Sequence, residues 1–357
     1  MNRQRLNRVL KNMEEEHLKQ ILVTSTASVY YLTGYWVEPI ERLLALYIQD
    51  NGKAILFGNE LFDLVPREGI ELVLHSDSDN PVADLTKVIK PGEIGIDKFW
   101  PSSFLINMMK LRQDVVPVPG SGPVDHARML KDEEEIAQMR HASQINDMIM
   151  EKAMAKLQPG IRENEISMYI EKLYAANGGD HSPEGQIVSF GANAADPHHW
   201  SADSILKEGD GIVFDIFNPI KKYWCDMTRT VFFRKTSDEQ RKVYETVKEA
   251  NLAAEAMIRP GIPMSAIDLT ARRIIEHAGY GKYFTHRLGH GCGLECHEIP
   301  DNSSSNHMLT QPGMIFSVEP GIYIPGETGV RIEDLVLVTE DGCEVLNAVS
   351  KDLKIIE

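Results

Sequence analysis

A chain of 357 residues with 43% apolar content is long enough for two domains and too apolar for wholesale disorder. Its net charge of −16, with no Lys/Arg-rich run, excludes the concentrated basic face that a nucleic-acid partner needs. No apolar run approaches the roughly 20 residues that span a bilayer. The polar, amphipathic start MNRQRLNRVLKNMEEEHLKQ lacks the apolar core of a signal peptide, so a cytoplasmic location is expected.

Residues 1–127 read as an α/β module. An amphipathic opening helix leads to the apolar runs Ile21-Leu22-Val23 and Tyr30-Tyr31-Leu32. Leu43 to Ile48 and Ala54 to Phe57 flank Asp50-Asn51-Gly52, the turn signal of a hairpin. Ile70 to Leu74 and Ile94-Gly95-Ile96 are expected as further strands, with a helix near Val82 to Ile89. The Pro/Gly-rich segment VVPVPGSGPVDHAR, Val115 to Arg128, reads as a linker, so the second module is expected over 128–357. There Asp132 caps a helix with Glu133 to Glu135 in its first turn, favourable against the helix dipole. Ile136, Met139, Ile145, Met148 and Ile149 follow at helical spacing and are expected in the core.

The second module repeats itself. Pro159-Gly160-Ile161 recurs as Pro260-Gly261-Ile262, each followed by a helical pattern of similar length. A histidine-bearing loop comes next in each copy, with Pro197-His198-His199 in one and His286 to His297 in the other. Then GDGIVFD, ending at Asp215, matches GMIFSVE, ending at Glu319. Each carboxylate sits six residues after a glycine, at the expected end of an apolar strand. A second carboxylate follows in each copy, Asp226 before MTRTVFF and Glu333 before DLVLVTED. Two αβ halves related by pseudo-twofold symmetry, with acidic residues converging at the centre, account for this pattern.

Four carboxylates gathered in a buried cleft need protons or cations to offset their repulsion. Two divalent ions bridged by shared carboxylates would do so. Oxygen donors with one imidazole suit Mn²⁺ first, and Co²⁺ or Zn²⁺ as well. The stretch HRLGHGCGLECHE, His286 to Glu298, holds three of the twelve histidines and two of the four cysteines. Cys292 and Cys296 could belong to a structural zinc site, but no second Cys/His pair at finger-like spacing accompanies them. His290, between Gly289 and Gly291, is the better nitrogen ligand because the glycines allow close backbone approach. The cysteines, Cys225 and Cys343 included, form no CxxC pair and are expected as free thiols, with Cys292 and Cys296 in packing roles.

Asp215, Asp226 in CDMTRT, His290 in HRLGHG, Glu319 in SVEPG and Glu333 in RIEDL stand in the order and local context of the metal ligands of the M24 peptidases. The catalytic half, about residues 129–357, resembles that family of pita-bread enzymes, which includes prolidases, aminopeptidase P and methionine aminopeptidases. The first 127 residues resemble the creatinase-type domain that precedes it in prolidases and aminopeptidase P. The resemblance implies an N-terminal creatinase-like α/β domain followed by a pseudo-twofold pita-bread catalytic domain. It implies two metals bridged by Asp226 and Glu333, with Asp215 holding one ion and His290 and Glu319 the other. His198, His286 and His297 resemble the family's histidines beside the metals and the substrate. Arg331 resembles the arginine that supports the substrate's carboxyl end or a bridging ligand.

The implied activity is hydrolysis of the Xaa-Pro bond in dipeptides by a hydroxide bridging the two metals, with Glu319 as proton relay and His297 or His198 stabilising the tetrahedral intermediate. The amide before proline has no N–H, so general proteases that grip that group fail there. Aminopeptidase P activity on longer peptides is the alternative. A non-catalytic binding protein and a metal-free creatinase-like amidinohydrolase both sit poorly with a complete ligand set. A homodimer is the family expectation. Two residues depart from the family pattern. Phe217 stands two residues after Asp215, where glycine is common, and Cys225 precedes Asp226, where Ser or Ala is common.

Overall fold

The structure, a computed structural model, describes residues 1–182 and 185–357. The chain divides into two units, Met1–Arg128 and Met129–Glu357. In the first, the Asn2 side chain accepts from the Arg5 amide and starts α1 (Arg3–Glu15), whose Leu6, Val9 and Met13 are buried at helical spacing. β1 (Gln20–Val23) and α2 (Thr26–Thr33) follow, so Tyr30-Tyr31-Leu32 is helical. β2 (Ala45–Gln49) and β3 (Ala54–Asn59) pair antiparallel across the expected hairpin turn, with Ala45 opposite Phe57.

β4 (Glu71–His75), α3 (Pro81–Thr86), β5 (Gly92–Ile96), α4 (Ser102–Leu111), β6 (Val115–Pro119) and α5 (Gly122–Met129) complete this part. The sheet order is β4-β3-β2-β1-β5-β6. The segment Val115 to Arg128 is therefore not a linker, because β6 is an edge strand parallel to β5. Pro117 and Pro119 are tolerated there since an edge strand can spare a donor. α5 is anchored in the same unit: Tyr31 Oη donates to Ala127 O at 3.0 Å and Arg128 Nη1 to Ser28 Oγ at 2.9 Å.

In the second unit, Asp132 and Glu135 exchange backbone-to-side-chain bonds in a capping box and start α6 (Glu133–Ala155). Met139 and Ile149 on it are buried. α7 (Glu163–Ala176), β7 (Ile187–Phe190), β8 (Gly211–Ile220) and β9 (Tyr223–Phe233) complete one half. α8 (Asp238–Met257), again started by a capping box at Ser237, α9 (Met264–His277), β10 (Gly289–Gly291) and β11 (Glu298–Asn302) open the other. β12 (Ile315–Val318), β13 (Gly321–Ile324), β14 (Thr328–Arg331), β15 (Asp334–Val338) and β16 (Cys343–Val345) complete it, before a final short β17 (Ile355–Ile356). The sheets run β17-β9-β8-β7 and β11-β10-β12-β15-β16, with β13-β14 as a separate pair.

The repeat is visible in side chains that the sequence alone did not single out. Asn146 and Asn251 each lie fourteen residues after the capping residue of their long helix, Asp132 or Ser237. Both are fully buried. Asn146 Nδ2 donates to Ile216 O at 3.1 Å and Asn251 Nδ2 to Val318 O at 2.9 Å, so each pins its helix to the strand carrying a site carboxylate or leading to one. Gly160 and Gly261 have φ of +82° and +84°, the left-handed turn that makes glycine necessary in both Pro-Gly-Ile copies. No helix among the described residues is long and apolar enough to cross a membrane.

The two halves meet at Arg229, which is 1% exposed. Its Nη2 donates to Asp334 Oδ1 at 2.7 Å, its Nη1 to Glu333 O at 2.7 Å, and both Nε and Nη2 to Val349 O. Replacing Arg229 by alanine leaves Asp334 paired with only the Lys351 ammonium, 2.8 Å from Oδ2, among the described residues, and the loss of the charged hydrogen bonds costs about 1.5–3 kcal/mol. The denaturant midpoint of Arg229→Ala should fall accordingly. A loss under about 1 kcal/mol would show that the pair does not hold the halves together.

Candidate metal centre

In the β8–β9 ladder Asp215 lies opposite Thr228 and Phe217 opposite Asp226. Alternate and directly opposed residues share a face, so these four project to the same side. Asp215 sits in the middle of its strand rather than at the end, because β8 continues to Ile220. Glu319 directly follows β12, and Glu333 lies between β14 and β15. His290 is on β10, where a Cβ at Gly289 or Gly291 would run into the carbonyl of Ser317 or of Ile299. These five side chains, together with His198, His286, His297 and Arg331, line one cavity of about 470 Å³.

At its centre, one ligand atom each from Asp226, His290 and Glu333 lies within 4.8 Å of the others. His290 Nδ1 is 3.1 Å from Gly291 O, a carbonyl that can only accept, so Nδ1 carries the proton and Nε2 presents a bare lone pair. That lone pair faces Glu319 Oε1 at 3.4 Å and Asp226 Oδ2 at 3.8 Å. Burial, then the charge of His297, pushes the His290 imidazole down to about 3. Protonation therefore does not relieve the contact near neutral pH. Asp226 Oδ1 is buried with no hydrogen-bond partner among the described residues. Lone pairs of His290 Nε2 and Asp226 converging in a buried space fit a cation, and the mixed oxygen and nitrogen ligands suit a divalent one.

Burial and the charges of Asp215 and Glu319 push Asp226 well above the usual carboxylate range. Burial and Asp226 do the same to Glu333. Glu319 is pushed up to about 7, by burial first. Hydroxyls hold these groups in place. Thr228 Oγ1 donates to Glu333 Oε2 at 2.7 Å, and Ser317 Oγ donates to Glu319 Oε1 at 3.1 Å while accepting the His290 amide at 2.9 Å.

Arg331 is 3% exposed and occupied by the protein. Its Nη2 donates to Asp215 Oδ2 at 2.5 Å, its Nη1 to Tyr323 Oη at 2.9 Å and Pro197 O at 3.3 Å, and its Nε to Thr228 Oγ1 at 3.1 Å. The carboxylate that Arg331 contacts is Asp215, rather than Asp226 or Glu333, the two that the resemblance implies as bridging ligands. His286 Nδ1 donates to Arg287 O at 2.7 Å, so its Nε2 accepts from Tyr323 Oη at 2.8 Å. Burial, then the charge of Arg331, pushes His286 down to about 4. The His297 ring meets that of His290 edge-on at 4.0 Å, and His198 is exposed at the cavity wall.

Thr228, Ser317 and Tyr323 were not singled out from the sequence, where hydroxyls in apolar strands carry no functional signal. Cys296 also differs from expectation. It lines the cavity, and its Sγ is 3.4 Å from Asp226 Oδ2, whereas Cys292 is buried in packing as expected. Phe217 lines the cavity beside Asp226, with Ile187 and Trp200 also on the wall. Cys225 is fully buried and burial pushes its thiol up to about 12, which makes it unreactive.

The profile of metallopeptidase family M24 matches residues 137–340, and that of the creatinase/prolidase N-terminal domain matches residues 5–130. The chain belongs to metallopeptidase family M24. It is 36% identical to an uncharacterised peptidase of Staphylococcus aureus strain MSSA476, over 97% of this chain and 99% of that protein. A solved dipeptidase of Pyrococcus horikoshii OT3 superposes with a TM-score of 0.93 at 34% identity, over 99% of this chain and 100% of that one. A solved prolidase of Thermococcus sibiricus gives 0.93 at 32% identity, over 100% and 99%. This metallopeptidase therefore pairs a creatinase-type N-terminal domain with an M24 catalytic domain, in the mixed α/β architecture expected from its sequence.

Without a cation, Asp226, Glu333 and Glu319 bind protons more tightly in the folded chain than in the unfolded one, where their pKa values are about 4. The stability they contribute when protonated is lost as pH rises from there through about 7, the value for Glu319. A bound divalent cation reverses that penalty. The melting temperature of the metal-stripped protein should fall below that of the Mn²⁺-loaded protein by more at pH 8 than at pH 5.5. A gap that closes toward pH 8 would contradict the carboxylate cluster as the cation site.

Proposed function

We propose that the protein hydrolyses the Xaa-Pro bond of dipeptides at a dinuclear metal centre, and the observation that carries this is the buried convergence of Asp226, His290 and Glu333 in the cavity. Two divalent ions would be held here, with Asp226 and Glu333 shared between them, Asp215 on one and His290 with Glu319 on the other. Mn²⁺ is the ion we assign first, with Co²⁺ and Zn²⁺ compatible with the same donors. Bound cations would offset the carboxylate charge, polarise the scissile carbonyl and acidify a water enough to attack near neutral pH. The likeness to a dipeptidase and a prolidase over nearly the whole chain supports the substrate class. A homodimer follows from the family resemblance.

The chain's own groups supply the rest. Glu319 is placed to take a proton and return it to the leaving nitrogen, with Ser317 fixing its orientation. His297 and His198, on the cavity wall, donate to the carbonyl oxygen as its charge grows. His286, held by Tyr323, shapes the substrate side of the cavity, while Arg331 keeps Asp215 in position.

Purified apo-protein loaded with Mn²⁺, Co²⁺ or Zn²⁺ should cleave Leu-Pro and Met-Pro and spare Leu-Gly and Leu-Pro-Gly. Cleavage of the tripeptide but not the dipeptides would make the protein an aminopeptidase P, and no hydrolysis with any ion would favour a binding protein. His290→Ala and Glu333→Ala should each lower the metal bound per chain, measured by elemental mass spectrometry. Full occupancy in both variants would sink the ligand assignment.

A further inference from the structure

A dipeptide ends in a carboxylate directly after its proline. Within the Xaa-Pro dipeptidase reading, on which this inference rests, that charge needs a cation in the cavity wall. Arg331 does not supply it, since Nε, Nη1 and Nη2 all donate to protein acceptors and the residue is 3% exposed. Arg287 lines the same cavity and its side chain is 43% exposed. We propose that Arg287 binds the C-terminal carboxylate of the substrate.

Three observations support the assignment. First, Asp301 Oδ1, at 2.5 Å from Nη1, is the one hydrogen-bond partner of the Arg287 guanidinium among the described residues. Nε and Nη2, one edge of the fork, are left for a carboxylate, the geometry in which arginine binds most strongly. The Asp301 side chain is itself 40% exposed, and an exposed pair of this kind is weak enough to yield to or share with a substrate anion.

Second, the backbone that presents Arg287 is clamped on both sides. Arg272 Nη2 donates to His286 O at 2.9 Å, and the Leu288 amide donates to Asp268 Oδ2 at 3.0 Å. Arg272 and Asp268 are themselves paired at 2.9 Å on α9. A cation on a fixed backbone discriminates distance, so it can separate a carboxylate on the proline from one a residue further out. Third, Arg287 lines the same cavity as His297, the histidine assigned to the scissile carbonyl. Arg287 thereby becomes the residue that makes the site a dipeptidase rather than an aminopeptidase.

The test compares metal-loaded wild type with Arg287→Gln and Arg287→Lys, after equal metal content is confirmed, on Leu-Pro and on Leu-prolinamide, which lacks the carboxylate. Loss of a charged hydrogen bond predicts a KM for Leu-Pro about 10- to 100-fold higher in Arg287→Gln, a smaller rise in Arg287→Lys, and a change under about threefold for Leu-prolinamide. Unchanged KM for Leu-Pro, or equal losses on both substrates, would overturn the proposal. Calorimetric binding of L-proline and prolinamide to the same proteins needs no turnover and separates this inference from the dipeptidase reading. If wild type cleaves no Xaa-Pro peptide, the dipeptidase reading fails. Weaker proline binding in Arg287→Gln would still support the carboxylate site, and equal binding, or none by wild type, would overturn it.

Discussion

Negative charge gathered where water is excluded is the constraint on which the rest of this structure depends. Asp226 and Glu333 are 4% and 2% exposed and come from the two halves of the catalytic unit. The bare Nε2 of His290 faces the same space. Such an arrangement is unstable unless a cation enters or protons bind, and the raised carboxylate pKa values express that cost. Folding therefore builds a site whose own repulsion becomes the driving force for metal binding.

The surrounding architecture holds the repelling groups at fixed positions. Hydroxyls of Thr228 and Ser317 each join two elements of the centre, and Arg331 balances Asp215 from the side. Below them Arg229 spans the junction of the halves, touching both the backbone of Glu333 and the Asp334 carboxylate. Asn146 and Asn251 repeat one device, a buried amide binding helix to strand, in each half. Pseudo-symmetry thus delivers carboxylates from two directions to one point, and hydrogen bonds that break the symmetry give the point its chemistry.

Two arginines of the cavity show how burial divides roles between identical side chains. Arg331 is enclosed and fully occupied, which makes it part of the metal centre's scaffold. Arg287 is half-exposed and, among the described residues, paired at one nitrogen, which leaves it open to a ligand. The histidines divide in the same way. His286 and His290 have their Nδ1 protons tied to backbone carbonyls, whereas His198 and His297 remain exposed at the wall.

The order and spacing of Asp215, Asp226, His290, Glu319 and Glu333, the hairpin at Asp50-Asn51-Gly52, the cap at Asp132 and the Pro-Gly-Ile repeat were all legible in the amino-acid sequence. They are local patterns, or local patterns used twice, and residues a few positions apart determine them. Local composition also misled. Prolines and glycines made Val115 to Arg128 look like a linker, yet pairing with β5, the bond from Tyr31 to Ala127 and that from Arg128 to Ser28 turn it into strand and helix. Cys296 gave no sign of its place beside Asp226, seventy residues earlier. Nor did Thr228, whose hydroxyl reaches Glu333 across 105 residues. The sequence by itself determined which residues could bind metal, because donor chemistry resides in the side chain. Only the tertiary structure decided which arginine is enclosed and which is open, because burial depends on what the distant parts of the chain bring alongside.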